Sequence, residues 1–234
     1  MNNTLTVISR TSGWFSRSQI PTISQTIGRK DGSEGQLVGK QRVHDQSNSR
    51  GHSVAALVRA KAGADLPGAK LIEGEARDEA TLVRALDGCD AVVSALGTGM
   101  GFRQVDLLTV ATRALVAAMT RTGVRRLICI SALGVGDSRG HGGFVFDRLF
   151  QPLLLGPAYK DKERQEATIR ASSLDWVVVR PAMLTNDPPR GRVRATADLA
   201  GVNGGKIARA DVAQFVVEQL TTDTWLRRTP VILW

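Results

Sequence analysis

From residue 51 onward the chain alternates between two hydrophobic patterns. Continuous apolar runs in "HSVAALVR", "AKLIEGEARD", "CDAVVSALGTG", "VRRLICISALGVG", "LDWVVVRPAML" and "TPVILW" predict short strands covered on both faces. Between them lie segments with helical spacing. In "DEATLVRALDG", Ala80, Leu82, Val83 and Leu86 share a face and Gly88 stops the helix; "VDLLTVATRALVAAMTRTG" is closed by Gly123; "YKDKERQEATIRASS" and "RADVAQFVVEQLTT" follow. Strands alternating with helices mean βαβ units, and right-handed crossovers wind such units into a parallel sheet with helices on both faces. A further apolar run, Leu5–Ile8, predicts a first strand beside Ser53–Val58. The chain is therefore read as α/β, a doubly wound parallel sheet (Rossmann fold) in a single domain over residues 1–234. Ligand is expected at the carboxyl ends of the strands.

Residues 9–50 break the pattern. Of these 42 residues only Trp14, Phe15, Ile20, Ile23, Ile27, Leu37, Val38 and Val43 are apolar, and none is alanine. So few apolar side chains offset little ordering entropy. The expectation is a mostly irregular, exposed segment with at best one short helix around Gln36–Val43. A first crossover needs a turn and one helix, and this stretch is nearly twice as long. After a first strand, a glycine-rich turn normally lets backbone approach a pyrophosphate. Here Ser9, Arg10, Thr11 and Ser12 come first, then Gly13, then Trp14 and Phe15. Gly32, Gly35 and Gly39 in "GSEGQLVGKQRV" offer a displaced phosphate loop.

Composition narrows the function class without naming it. Cys89 and Cys129 each lie in or beside a strand-like run and read as buried thiols, and three scattered histidines give no metal site. The net charge is +9; residues 9–50 hold five Arg and two Lys against three acids, or +4 of it. No basic block with interleaved aromatics appears, so a solvated basic surface is expected and no nucleic-acid partner. A basic cleft would also favour a cofactor with several phosphates. No apolar run approaches the ~20 residues of a membrane helix, and the N-terminus lacks the apolar core of a signal peptide. A cytoplasmic protein with no membrane partner is expected, as a monomer or homodimer.

From Gly51 the chain resembles the atypical short-chain dehydrogenase/reductase family, in its NAD(P)H-binding branch of flavin and biliverdin reductase-like and redox-sensor-like proteins. The matching motifs are "RGHSVAALVR", "EGEARDEATLVRALDGCDAVVSALGTG", "GVRRLICISALGVGDSRG", "YKDKERQEATIRASSLDWVVVRPAMLT" and "GKIARADVAQFV", in family order. In that family a Gly-x-x-Gly-x-x-Gly turn follows the first strand at once, where this chain has Ser9, Ser12 and Phe15. Either a reading-frame disturbance or a natural insertion that rebuilds the loop accounts for residues 9–50. The cofactor loop of the resemblance falls on Thr11 and Gly13.

The resemblance also suggests where chemistry would sit. Arg59 ends the second strand, with Lys61 nearby. An arginine there pairs with a 2′-phosphate where an acid would take the 2′-hydroxyl, so NADP(H) is preferred over NAD(H). Glu75 and Ala76 would lie by the adenine; the acid can equally cap the helix that follows. Ala95, Leu96 and Gly97 would pass along the ribose and pyrophosphate. Ser131 would hydrogen-bond a substrate carbonyl beside the nicotinamide, or satisfy local backbone. The family's Tyr-x-x-x-Lys pair is altered here to Tyr159-x-x-Lys162; Lys162 would hold the ribose and Tyr159 would donate a proton. Pro181 and Met183 would wall the nicotinamide pocket. "GHGGFVFDRLFQPLLLGP" reads as a lid, a dimer patch or buried core. The function implied is an NADPH-dependent oxidoreductase passing hydride to a small apolar or aromatic acceptor such as a flavin or quinone. The alternatives are a non-catalytic NADP(H)-binding regulator or assembly protein, or a non-functional product of a disturbed gene.

Overall fold

The structure is a computed structural model, and it describes residues 5–10, 34–59, 66–97, 106–144, 147–148 and 155–234. The first strand, β1 (Leu5–Arg10), is followed by α1 (Glu34–Ser49), β2 (His52–Val58), β3 (Lys70–Glu73), α2 (Glu79–Leu86) and β4 (Ala91–Ser94). Then come α3 (Leu107–Thr122), β5 (Arg126–Ile130), α4 (Gly156–Arg170), β6 (Asp175–Pro181), β7 (Met183–Thr185), β8 (Arg194–Thr196), β9 (Lys206–Ala208), α5 (Arg209–Glu218) and β10 (Val231–Leu233). The main sheet has the order β3-β2-β1-β4-β5-β6-β10-β8, and β7 and β9 form a small second sheet.

The sheet is mostly parallel: β2 with β3, β4 with β5, β5 with β6 and β6 with β10. Alternate residues of the central strands face opposite layers. Val92, Leu127, Cys129 and Val178 pack with Leu82 of α2 and Leu115 of α3. Val93, Ile128, Val177 and Val179 pack with Val43 of α1 and Val212 and Val216 of α5. This is the doubly wound arrangement expected from the alternation of strands and helices.

Two expectations are corrected. The first strand does lie beside β2, but it runs antiparallel to both its neighbours, with Leu5 opposite Leu57, Arg10 opposite His52 and Ile8 opposite Ala91. Its place was legible because a short apolar run suits a strand covered on both faces. Its direction was not, because such a run fits the layer equally well in either sense. The second correction concerns residues 34–49, which form a 16-residue helix and not a short one. Among its described side chains Val43, His44 and Ser47 are buried, Ser47 Oγ donates to Val43 O at 2.8 Å, and Asn48 Nδ2 meets His44 Nε2 at 3.1 Å. The helix then turns through Gly51, at φ +79°, into β2.

Candidate functional site

Helix α4 supplies most of the chemistry, and buried polar contacts fix its position. Asp161, fully buried, accepts the Leu108 and Thr109 amides at 2.8 and 3.1 Å, so a side chain of α4 satisfies the open N-terminus of α3. One turn further, Gln165 Nε2 donates to Thr112 Oγ1 at 3.0 Å.

The next residue, Glu166, lies at the centre of a buried ionic cluster. Its Oε1 accepts from Ser131 Oγ at 2.6 Å and from Arg180 Nε at 3.1 Å. Its Oε2 accepts from Arg180 Nη2 at 2.7 Å and from Arg170 Nη2 at 2.6 Å. Arg180, at 0% exposure, also places Nη1 2.6 Å from Asp137 Oδ1. Burial works to raise the Asp137 carboxyl, but the hydrogen bond and charge of Arg180, with Arg170 behind it, hold it below the usual carboxylate range. Burial likewise works against the Arg180 cation, and Glu166 and Asp137 outweigh it. The cluster ties α4 to the end of β6 and to the loop after β5. Backbone bonds draw those two segments together as well: Ser131 N donates to Val179 O at 2.8 Å and Leu133 N to Pro181 O at 3.0 Å.

Ser131, Tyr159, Lys162, Pro181 and Met183 therefore gather around the carboxyl ends of β5 and β6. The Ser131 hydroxyl spends its proton on Glu166. Tyr159 donates from its hydroxyl to Leu133 O at 3.3 Å, and burial, with Asp147 adding to it, pushes the phenol up to about 12. Lys162 is half-buried, and among the described residues no hydrogen bond or ion pair holds its ammonium. Burial lowers its pKa, against the pull of Cys129, Glu166 and Asp161. Beneath it, burial drives the Cys129 thiol up to about 12.

The remaining candidates lie along the same end of the sheet. Arg59 follows β2, and Gly74 after β3 donates to Val58 O at 2.9 Å, so Arg59 lies near Glu75 and Ala76. Glu75 is exposed and Ala76 buried; the cap of α2 is Asp78, which accepts from Ala80 N and Thr81 N. Ala95, Leu96 and Gly97 leave β4. Thr11, Gly13, Lys61 and residues 98–105 lie outside the described residues. Of the glycine-and-aromatic stretch after residue 140, Phe144 is exposed. Sequence reasoning gave no role to Glu166 or Asp137. The signals were Lys162-x-x-x-Glu166, one helical turn apart, and an arginine closing the apolar run "VVVR".

A half-buried ammonium that no hydrogen bond or ion pair holds among the described residues, at the carboxyl end of a doubly wound sheet, suits an anionic ligand with hydroxyl groups, as a dinucleotide presents. Fold and site together define a nucleotide-binding α/β protein of the Rossmann kind. The chain belongs to the NAD(P)H-binding family, whose sequence profile, described as NAD(P)H-binding, matches residues 32–223. A Bacillus subtilis (strain 168) protein named Uncharacterized sugar epimerase YhfK is 31% identical over 200 residues, covering 81% of this chain and 85% of its own. Among solved structures, "ChuY: An Anaerobillin Reductase from Escherichia coli O157:H7" superposes with a TM-score of 0.71 at 20% identity, covering 83% of this chain and 91% of its own. A wide-type short-chain dehydrogenase/reductase from Veillonella parvula DSM 2008, in complex with NADP, gives 0.61 at 17% identity, covering 87% and 92%. Among the described residues no helix is long and apolar enough to cross a membrane, and no cluster of His, Cys, Asp and Glu could hold a metal.

Proposed function

We propose that the protein is an NADPH-dependent reductase acting on a small, apolar or aromatic acceptor. The observation that carries this reading is Lys162, a half-buried ammonium that no hydrogen bond or ion pair holds among the described residues, beside Ser131 and the end of β6. Lys162 would hold the ribose hydroxyls, Arg59 the 2′-phosphate, and Ala95 to Gly97 would leave room for the pyrophosphate. Bound there, the reduced nicotinamide supplies hydride. Ser131, its proton engaged by Glu166, would present lone pairs to the site, and Pro181 and Met183 would wall the nicotinamide pocket.

The relative's name raises a second chemistry, sugar epimerisation, which begins by removing a hydroxyl proton. Tyr159 is poorly suited to that, because burial holds its phenol protonated up to about 12. An acceptor that takes its proton from solvent, such as a flavin or quinone, does not need it. The same phenol, bonded to Leu133 O, also keeps open a non-catalytic NADP(H)-binding role.

The test is titration calorimetry with NADPH and NADH. A partly exposed charge-assisted pair contributes about 1.5–3 kcal/mol, roughly ten- to a hundred-fold in affinity. NADPH should bind at least tenfold tighter than NADH, and Arg59→Ala should remove that preference while leaving NADH nearly unchanged. Equal losses for both cofactors would place Arg59 in the scaffold. Binding of neither would defeat the reading.

A further inference from the structure

Ser131 is a buried hydroxyl, at 5% exposure, whose polarity the ionic cluster fixes. Glu166 receives four hydrogen bonds, three from the guanidinium groups of Arg170 and Arg180 and the fourth from Ser131 Oγ at 2.6 Å. Guanidinium groups only donate, so they hold the carboxylate as an acceptor. The short Ser131 contact is that of a hydroxyl donating to a carboxylate. The one proton of Ser131 is therefore turned toward Glu166, and its lone pairs point elsewhere.

No donor among the described residues fills those lone pairs. The neighbouring donors are engaged: Arg180 on Glu166 and Asp137, Arg170 on Glu166, and the Gly134 amide on Ser138 Oγ at 2.9 Å. Ser131 also stands at the edge where a ligand is expected. α4 ends just before β6 begins, so it runs from the carboxyl edge of the sheet toward the amino edge. Lys162 precedes Glu166 by one turn on the same helix face, and so lies nearer the carboxyl edge than the Ser131–Glu166 contact. Ser131 N, bonded to Val179 O at 2.8 Å, keeps the serine beside the end of β6.

We propose that Ser131 selects the acceptor molecule by a hydrogen-bond donor, an N–H or O–H adjoining its reducible group, and that Glu166 is the positioning residue that turns the serine proton away. The inference rests on the reductase reading in taking that molecule to be the hydride acceptor. A carbonyl, the partner expected for Ser131 from the sequence, brings a second acceptor to the oxygen and gains no bond. A simple quinone offers only such carbonyls. A lactam or a hydroxyaryl ketone supplies the donor. A ligand without one leaves the serine lone pairs unpaired inside the protein, which costs more than the bond itself is worth.

Two probes of nearly equal shape test this: isatin, an aromatic dione with a lactam N–H, and indane-1,2-dione, with a methylene in its place. Each is titrated by calorimetry with and without NADP⁺, where no turnover intrudes. Isatin should bind at least tenfold tighter. Ser131→Ala should bring the two within twofold of each other. Glu166→Gln, whose amide can itself donate to Ser131, should shrink the ratio as well. That ratio does not depend on how much of the variant folds, and Ser131→Ala decides the matter if none does. Equal binding by the native protein, a ratio that Ser131→Ala leaves intact, parallel losses in Glu166→Gln, or binding of neither dione would overturn the proposal. NADPH oxidation with each dione is followed separately. If none occurs but the Ser131-dependent ratio persists, the donor rule stands and the reductase reading falls.

Discussion

At the scale of single residues, Glu166 is the centre of the buried ionic cluster. A carboxylate at 1% exposure facing a guanidinium at 0% is held by mutual attraction, and removing one partner strands the other in a poor solvent. Glu166→Gln should therefore lower the unfolding free energy by about 3–5 kcal/mol in urea titrations. Glu166→Leu combined with Arg180→Met should recover most of that loss, since two apolar residues leave no orphaned charge at the pair. A double variant as unstable as the single one would show that the cluster acts through something other than paired charge. Gly136 is bound to the same geometry. Its φ is +59°, and a Cβ there would lie 2.8 Å from Arg180 Nη2, so both backbone and space favour glycine. None of this was legible in the helical period of "YKDKERQEATIR", because the face that α4 buries carries Asp161, Gln165 and Glu166 besides Ile169. Hydrophobic spacing finds apolar faces, and here the buried face is mostly polar.

At the scale of elements, β1 and α1 show where pattern reading stops. The strands from β2 to β6 and helices α2 and α3 were legible because their side chains declare which surface is buried. Polarity of β1 was not, since parallel and antiparallel ladders satisfy the same backbone groups. α1 was read as short because Leu37, Val38 and Val43 are its only apolar residues, and among its described side chains the buried ones include the polar His44 and Ser47. The hydrogen-bond ladder makes a clear expectation. β1 is paired on both sides, so its amides should exchange about as slowly as those of β2 and β4. Fast exchange in Thr6–Ile8 with slow exchange in β2 would show that the strand is not an integral part of the sheet. The site divides in the same way: Ser131 was found at the end of β5 and Lys162 through the altered Tyr-x-x-x-Lys pair, while the carboxylate that accepts from Ser131 lies one turn further along the same helix.

At the scale of the whole molecule, the buried Cys129 and the half-buried Tyr159 shape the response to alkali. Cys129 is raised from 9.0 to about 12 and Tyr159 from 10.0 to about 12, in both cases chiefly by burial. An acid raised on folding ionises first in the unfolded chain, so its contribution is complete below the unfolded value and is lost as pH rises toward the folded one. Stability should fall from about pH 9 upward, by roughly 1.4 kcal/mol per pH unit for each group titrating only in the unfolded state. Urea midpoints measured between pH 8 and 11 should show that slope, and Cys129→Ala should flatten its first part. An unchanged slope in the variant would put the alkaline transition elsewhere. The two thiols also differ in a way that serves experiment. Cys89 is partly accessible and precedes β4, at the amino edge of the sheet, whereas Cys129 is wholly enclosed. The sequence contains no other cysteine. A maleimide should add one equivalent to native protein and two after denaturation. Anchored through Cys89, every molecule on a sensor chip would present the carboxyl edge of its sheet, and with it the candidate nucleotide site, to the flowing solution.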